Sequence, residues 1–281
     1  MKVFPFKVPK SVEDSLIYQE DHELVFYDKL HQHEEIQISL IEHGEGTLIV
    51  GDTINSFSAG DIIVIGSNIP HVFRSDNAAG SKVPSFMISL FFKRGSFGAN
   101  FFDLPEFNEI DPFFLSSENG FRVQSKKKRL RKQMLELKDQ TKLNRFRSFI
   151  GILIHLSNSK KKKLSSFINK KKYTENEGKR ISDVFEYVMK NYNNNISLEE
   201  VANIVHMSRN AFCRYFKNRT NKTFFQFLIE IRIENACKLL SKNKEVSIKE
   251  ISYKCGFNNI SNFNRKFKEI KGVTPSDYRK E

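Results

Sequence analysis

The chain has 281 residues, of which 39% are hydrophobic and 28% charged, the composition of a soluble globular protein with room for two domains. The net charge of +13 is unevenly distributed. Residues 1–124 carry 9 basic and 18 acidic side chains, whereas residues 125–281 carry 37 basic and 15 acidic side chains. Only the second part is therefore expected to bind a polyanion. The cysteines are too widely spaced for a disulfide framework, and the apolar runs are too short to span a membrane. The first segment is too polar for a signal peptide, so a cytoplasmic protein is expected.

The first predicted elements are short strands. Ile36, Ile38 and Leu40 alternate with polar residues, which is the period of a half-buried strand. Turn sequences such as HGEG and AGD then separate two apolar runs, TLIV (47–50) and IIVI (62–65). Short strands at this spacing are typical of an all-β sandwich or barrel.

Two stretches of this region resemble the motifs of a cupin-type sensor domain. Residues 31–51 resemble the first motif and residues 59–73 resemble the second. Metal-binding cupins place two histidines and a glutamate in the first motif and one histidine in the second. The matching positions in this sequence are His31, His33, Gln37 and His71. A neutral amide therefore stands where those cupins have a carboxylate.

Three interpretations of these four side chains remain open. Three imidazoles could hold a divalent metal ion, although the amide is a weaker fourth ligand than a carboxylate. Alternatively, His31 and His33 could line a pocket mouth or a polar strand face, and His71 after Pro70 could hydrogen-bond a loop backbone. We favour the third interpretation, in which the four side chains hydrogen-bond a small polar effector, such as a sugar or another metabolite, inside the barrel. No cofactor is assigned.

Two amphipathic helices are predicted after the barrel, and a linker follows them. Residues 145–158 have one apolar helical face, and residues 125–143 have another, formed by Leu130, Met134, Leu137 and Thr141. These faces are expected to pack on the barrel or on a second copy of the chain. The lysine runs at 160–163 and 170–172 predict a solvated, flexible linker, with direct phosphate contact as the alternative.

The second part of the chain contains a repeated unit. Residues 197–227 align with residues 247–278 when one residue is inserted in the second copy. The aligned pairs include Ser197 with Ser247, Glu200 with Glu250, Phe212 with Phe263, Arg214 with Arg265, and Phe216 with Phe267. Each copy has the pattern of helix, tight turn and helix, and each begins with the S-x-x-E signature of a capping box.

The second helix of each copy has two faces. Its phenylalanines are the expected core anchors. The opposite faces carry Asn210, Arg214 and Lys217 in the first copy, and Ser261, Asn264, Arg265 and Lys268 in the second. A helix with such a face fits the major groove of DNA, where arginine can read guanine and asparagine can read adenine. Two such helices in register are stronger grounds for DNA binding than one basic amphipathic helix.

Residues 182–280 resemble the DNA-binding region of AraC-type transcription regulators. The resemblance lies in ISLEEVANIVHMSRNAFCRYFK, in RIENACKLL and in ISYKCGFNNISNFNRKFKEIKGVTPSDYR. It implies that six residues face bases or phosphates, namely Asn210, Cys213 and Arg214 from the first helix and Ser261, Asn264 and Arg265 from the second. It also implies that Arg232, Ala236 and Leu240 belong to a rigid connecting helix. Asn221 departs from the pattern by standing where the second copy has Gly272, but asparagine tolerates a positive φ.

These patterns together predict an α+β protein. Residues 1–124 form a cupin-like ligand-sensing β-barrel, residues 125–180 a helical pair and basic linker that could mediate dimerisation, and residues 181–281 an all-α domain with two helix-turn-helix units. The expected function is that of a ligand-responsive, sequence-specific transcription regulator that is not an enzyme. Its expected partners are double-stranded DNA, a small-molecule effector, RNA polymerase and a second copy of the chain. The alternative is a metal-dependent cupin enzyme with an accessory nucleic-acid-binding module.

Overall fold

The computed structural model describes residues 14–76, 84–166, 175–243 and 245–280. The chain divides into two compact units, Met1–Glu175 and Asn176–Glu281. The predicted linker segment at residues 170–172 lies outside the described residues. Among the helices of the described ranges, none is long and apolar enough to cross a membrane.

The first unit is built on two antiparallel sheets. The larger sheet has the strand order β1-β7-β2-β5-β8-β9 and the smaller sheet has the order β4-β3-β6. The strands are β1 (Ile17–Glu23), β2 (Ile36–His43), β3 (Gly46–Val50), β4 (Thr53–Phe57), β5 (Ile62–Ile65), β6 (His71–Ser75), β7 (Ser85–Phe92), β8 (Phe121–Val123) and β9 (Lys161–Lys163). The predicted α+β architecture with an amino-terminal cupin-like sheet domain is confirmed.

Alternate residues of the larger sheet point to opposite faces. On β5, Ile63 and Ile65 pack with Phe57 and Phe73 of the smaller sheet, which forms the interior of the barrel. Val64, like its neighbours on the same face of the sheet, packs against helices instead. The IIVI run is wholly buried because both of its faces are covered.

Three α-helices in the described part of the first unit cover the outer face of the larger sheet. They are α1 (Asp111–Ser117), α2 (Lys127–Leu135) and α3 (Lys142–Ser157). Met134 of α2 and Phe149 of α3 are fully buried in one cluster with sheet residues such as Leu90. The apolar faces of the two predicted helices therefore pack on the barrel of their own chain.

The predicted first helix is shorter than its pattern indicated. It ends at Leu135, and Thr141 belongs to the start of α3 and not to the apolar face of α2. The Thr141 hydroxyl accepts a hydrogen bond from the backbone N–H of Asn144, which caps α3. A threonine in this extended position satisfies a backbone donor that the first turn of a helix leaves without an intrahelical partner.

The prediction of a flexible linker at residues 160–163 is wrong. Residues Lys161–Lys163 form β9 and pair with β8. The Nζ atom of Lys161 lies 5.6 Å from the centre of the Phe121 ring. A strand pairs through its backbone, whatever its side chains, and lysines suit an edge strand because their charges oppose further pairing.

The second unit is all helical. Its helices are α4 (Glu175–Asn191), α5 (Leu198–Ile204), α6 (Arg209–Thr220), α7 (Phe224–Lys242), α8 (Ile248–Lys254), α9 (Ile260–Lys271) and α10 (Pro275–Lys280). The pairs α5 with α6 and α8 with α9 are the two repeated helix-turn-helix units, and α7 runs between them in the sequence.

Side-chain caps begin both repeats at the predicted serines. Ser197 accepts from the N–H of Glu200, and the Glu200 carboxylate accepts from the N–H of Ser197 at 2.8 Å, which completes a capping box. Ser247 likewise caps α8. The Glu250 carboxylate, however, pairs with Lys254 at 2.8 Å, so the second box is only half formed.

Aromatic packing joins α7 to both repeats. The Phe227 ring on the first half of α7 lies 5.5 Å from that of Phe216 on α6. On the second half, Ala236 and Leu240 share a buried cluster with Phe263 and Phe267 of α9. The connecting helix α7 therefore belongs to the core of both helix-turn-helix units.

Two glycines in the second repeat allow a matched stability prediction. Gly272 has a φ of +80° with open space around a Cβ atom, whereas Gly256 has a φ of +82° and its Cβ would lie 2.7 Å from the backbone oxygen of Tyr192. We expect Gly272→Ala to lower the free energy of unfolding by about 1–2 kcal/mol through backbone strain alone. Gly256→Ala should cost more, because a backbone carbonyl must also move. Urea denaturation checks this, and equal costs would show that the chain at Tyr192 yields freely.

Candidate DNA-reading helices and barrel site

Helix α6 exposes the predicted face of the first repeat. It begins after Ser208, whose hydroxyl accepts from the N–H of Ala211 at 3.4 Å. Phe212 and Phe216 are fully buried on one side. The predicted residues on the other side are all exposed, namely Asn210, Cys213, Arg214 and Lys217. Helical periodicity alone produces this division, because residues three or four apart share a face.

Helix α9 repeats the arrangement in the second copy. Phe263 and Phe267 are fully buried. The predicted polar residues are exposed, namely Ser261, Asn264, Arg265 and Lys268. Thus all eight residues that were assigned to DNA lie on accessible surface, four on each helix.

Helices α6 and α9, the two candidate reading helices, differ in the charges around their arginines. The Arg265 guanidinium donates to the Asn262 side-chain oxygen at 3.0 Å and lies 3.8 Å from the Glu269 carboxylate. Helix α6 contains no acidic residue. Its first residue, Arg209, is a further exposed arginine that was not predicted. Its position directly after the Ser208 cap is the signal that could have identified it.

Arg232 of α7 ties the two repeats together. Its guanidinium donates to the backbone oxygens of Tyr192 at 2.7 Å and Asn194 at 2.8 Å, just before the first repeat. The same guanidinium lies 5.9 Å from the ring centre of Phe257 in the second repeat. Burial lowers the pKa of Arg232, but the group stays charged because arginine titrates far above neutral pH. This contact supports the predicted role of α7 as a rigid spacer.

The barrel brings the three predicted histidines together. His31, His33 and His71 are buried, and one nitrogen from each ring lies within 4.8 Å of the others. Each Nδ1 atom donates to a backbone carbonyl, that of Lys29, Glu35 and Ile69 respectively, at 2.8 to 2.9 Å. A carbonyl can only accept, so Nδ1 carries the proton of each ring. A neutral ring then has a bare lone pair on Nε2.

Burial keeps these rings neutral. It lowers the pKa of His31 to about 3, lowers that of His33, and places that of His71 well below 6.5. The Nε2 atoms of His33 and His71 lie 3.2 and 3.0 Å from the side-chain oxygen of Gln37. Two bare nitrogens and an oxygen cannot hydrogen-bond one another. The contacts are satisfied if the Gln37 amide turns its NH₂ group to the rings and its oxygen to Ser39, or if a cation lies among them.

The histidine cluster therefore fits a divalent metal ion in ligand type and in tautomer. The Nε2 atoms of His31, His33 and His71 would hold such an ion, with the backbone contacts at Nδ1 fixing the ring orientations. Gln37 would be a neutral fourth ligand. The cluster brings no carboxylate to the ion, which distinguishes it from the carboxylate-containing pattern of metal-binding cupins.

A cavity of ≈ 360 Å³ opens next to this cluster. Among the predicted ligand-binding residues, His31 and Gln37 line the cavity, whereas His33 and His71 do not. The cavity is also lined by Gln19, Asp21 and Glu23, which were not predicted and which stand at alternate positions of β1. Their spacing of two was the available signal, but β1 is polar on both faces, so no apolar alternation marked it as a strand.

The buried histidines predict an acid-sensitive barrel. Between the unfolded pKa of about 6.5 and a depressed folded pKa, the unfolded chain binds protons that the folded chain does not, so stability falls as pH falls. For chelator-treated protein, we expect the free energy of unfolding to fall below pH 6.5. Each buried histidine should contribute a decrease of up to about 1.4 kcal/mol for every pH unit. Urea denaturation between about pH 7 and 5 measures this. The slope should be shallower for His71→Gln, and an unchanged slope would contradict the assignment.

Two family models match the chain. An AraC-like ligand binding domain matches residues 14–90, and a helix-turn-helix domain matches residues 201–281. The first match covers the predicted sensor strands. The second covers most of α5 and all of α6 to α10.

Two curated relatives each match about a third of the chain. The HTH-type regulator YdeC of Bacillus subtilis is 35% identical over 101 residues, which is 36% of this chain and 34% of that protein. A regulator from the cgkA 5' region of Pseudoalteromonas carrageenovora is 37% identical over 100 residues, 36% of this chain and 58% of that protein. The chain thus covers less than two thirds of these two relatives. The activator RhaR of Mannheimia succiniciproducens is 23% identical over 89% of this chain and 86% of its own length.

Proposed function

Because this chain belongs to the AraC-type transcription regulators, with an AraC-like ligand-binding domain before a helix-turn-helix domain, we propose that it regulates transcription by binding specific double-stranded DNA in response to a small molecule. The observation that carries the proposal is the pair of matched helices, α6 and α9. Each helix buries two phenylalanines and exposes an arginine with polar neighbours. Each can therefore enter a major groove without disturbing its own core.

The two reading helices contact successive segments of the major groove. Segments on one side of the duplex recur every helical turn, about 34–36 Å apart. Arg214 and Arg265 read base edges together with Asn210, Ser261 and Asn264, while Cys213, Lys217 and Lys268 border the phosphates. The contacts of Arg232 hold the two helix-turn-helix units at a fixed spacing, as this mode of binding requires.

The barrel unit supplies the regulation. A small molecule in the barrel cavity, contacted by His31 and Gln37, changes DNA binding only if it has different affinities for two states of the protein. We further propose that the chain acts in the cytoplasm as a homodimer and contacts RNA polymerase.

Selection of bound fragments from random double-stranded DNA tests the proposal. We expect enrichment of sequences with two conserved blocks whose centres lie about one helical turn apart, 10–10.5 base pairs. Repeating the selection with candidate metabolites identifies the effector by a change in affinity. Equal recovery of all sequences would contradict sequence-specific regulation and leave only non-specific electrostatic binding.

A metal-dependent enzyme of the cupin type is the second candidate function. The observation that favours it is the cluster of His31, His33 and His71, each of which brings one ring nitrogen within 4.8 Å of the other two. A bound ion would supply Lewis-acid chemistry next to the cavity. Metal content after purification tests this candidate: a stoichiometric metal that is lost in His71→Ala favours the enzyme. Specific DNA binding by the metal-free protein favours the regulator.

A further inference from the structure

The barrel cavity has a lining that favours one class of effector. Its polar side chains include three carboxylates, those of Asp21, Glu23 and Asp28. Neither lysine nor arginine contributes to the lining that the structure describes, and the Nζ atom of Lys29 lies 4.0 Å from the Asp28 carboxylate. An anionic ligand would meet like charges there without a compensating cation.

Gln19 and Asp21, which also line the cavity, offer hydrogen-bond acceptors to a ligand. The side-chain oxygen of Gln19 is buried and has no hydrogen-bond partner in the described part of the chain. The Asp21 carboxylate accepts from the Gln19 amide at 2.5 Å. Burial raises the pKa of Asp21, so a positive charge beside it would be favourable. A ligand with an N–H group would satisfy the Gln19 oxygen.

Aromatic side chains form the rest of the wall. Phe26, Phe73 and Phe91 are buried in the lining, and Tyr27 stands at the rim. Aromatic faces attract organic cations and also cover the apolar body of such a ligand. The cavity volume of ≈ 360 Å³ suits a single small molecule. The carboxylates are not grouped for a metal ion, because the histidines are the only set of three potential metal ligands brought together in the described ranges.

We propose that the effector of this regulator is a small organic cation, an amine or guanidine with an apolar body, held by Asp21 and Glu23 against the aromatic wall of the barrel. This inference rests on the proposed function, since it names the class of molecule to which the regulator responds. The ammonium or guanidinium group donates to the Asp21 carboxylate and the Gln19 oxygen. Glu23 adds a second negative charge nearer the rim.

Calorimetric titration of the full chain with three matched probes tests the proposal. The probes are 2-phenylethylamine, 2-phenylethanol and 3-phenylpropanoate, which differ chiefly in charge. We expect the amine to bind one site per chain at least about tenfold more tightly than the alcohol, and the acid to show no saturable binding up to about 10 mM. Agmatine serves as the guanidinium probe.

Charge-removing variants locate the site. Asp21→Asn with Glu23→Gln should weaken amine binding by about tenfold or more and leave the alcohol unaffected. Glu106→Gln removes an exposed carboxylate of the same unit that does not line the cavity, and should change neither. The proposal is overturned if neither the amine nor agmatine binds, if the alcohol or acid binds as well as the amine, or if the double variant retains full amine affinity.

DNA binding by the same preparations separates the two proposals. Protein that binds its selected DNA but prefers no cation contradicts the effector class alone. Protein that binds the amine at this site but has no DNA preference contradicts the regulatory function alone. A shift in DNA affinity on adding the amine, lost in the Asp21→Asn and Glu23→Gln double variant, supports both.

Discussion

Replacing both Arg214 and Arg265 with alanine is expected to weaken binding to the selected DNA by about 2–6 kcal/mol. Each arginine is exposed on its own reading helix, and one arginine that reads a base contributes about 1–3 kcal/mol. The two effects should add, because the residues lie on separate units without a shared partner. Fluorescence anisotropy with labelled duplexes measures the loss, and circular dichroism checks that both helices remain folded.

The single variants distinguish base reading from phosphate contact. Arg265→Ala should relax the preference at one position of the selected site. If affinity instead falls equally for every sequence and the salt dependence decreases by about one counterion, Arg265 contacts a phosphate. Lys254→Ala is the matched control, because it removes one exposed positive charge from α8, outside the reading helices. It should change affinity little.

The charges around Arg265 predict that the two arginines are not equivalent. Arg265 must exchange its contacts with Asn262 and Glu269 for contacts with DNA. Helix α6 has no acidic residue to compete in this way. We therefore expect Arg214→Ala to have the larger effect of the two single substitutions.

Replacing Phe263 with alanine is expected to destabilise the second helix-turn-helix unit by about 3–5 kcal/mol. Phe263 is fully buried, and its ring lies 5.1 Å from that of Phe257 and 5.6 Å from that of Phe267. The substitution removes both contacts and leaves a cavity beneath α9. Urea denaturation followed by circular dichroism measures the loss, and DNA affinity should fall with it.

An exposed residue of the same helix provides the control. Ile270 is 36% exposed, so Ile270→Ala should change stability by about 0.5 kcal/mol or less. If Phe263→Ala were equally mild, α9 would not depend on its phenylalanines for its position. The two-faced description of the reading helix would then be wrong.

The helical unit could be predicted well because its signals are local. The Ser197 cap, the apolar spacing of Phe212 and Phe216, and the positive φ at Asn221 each depend on a few neighbouring residues. His206, aligned with Gly256 of the second copy, also adopts a positive φ, of 54°. The duplication strengthened the prediction, because the same caps and apolar spacing occur in both copies.

The barrel site was less predictable because its residues come from distant strands. Gln37 meets His71 across 34 positions of sequence, and Gln19 lines the same cavity as Phe73. Motif resemblance identified the histidines but not their tautomers, which depend on three separate backbone carbonyls. It also offered no sign that β1 contributes acidic side chains.

The sequence by itself determined the two-part architecture, the repeated helix-turn-helix unit and the polar faces of the reading helices. Helical period and end-capping are properties of short segments, so they can be read without knowing the rest of the fold. Only the tertiary structure decided that Lys161–Lys163 is a strand, that Arg232 joins the repeats and that the cavity is lined by acceptors. Those outcomes depend on which distant segments pair, because backbone pairing and cavity shape are properties of the assembled chain.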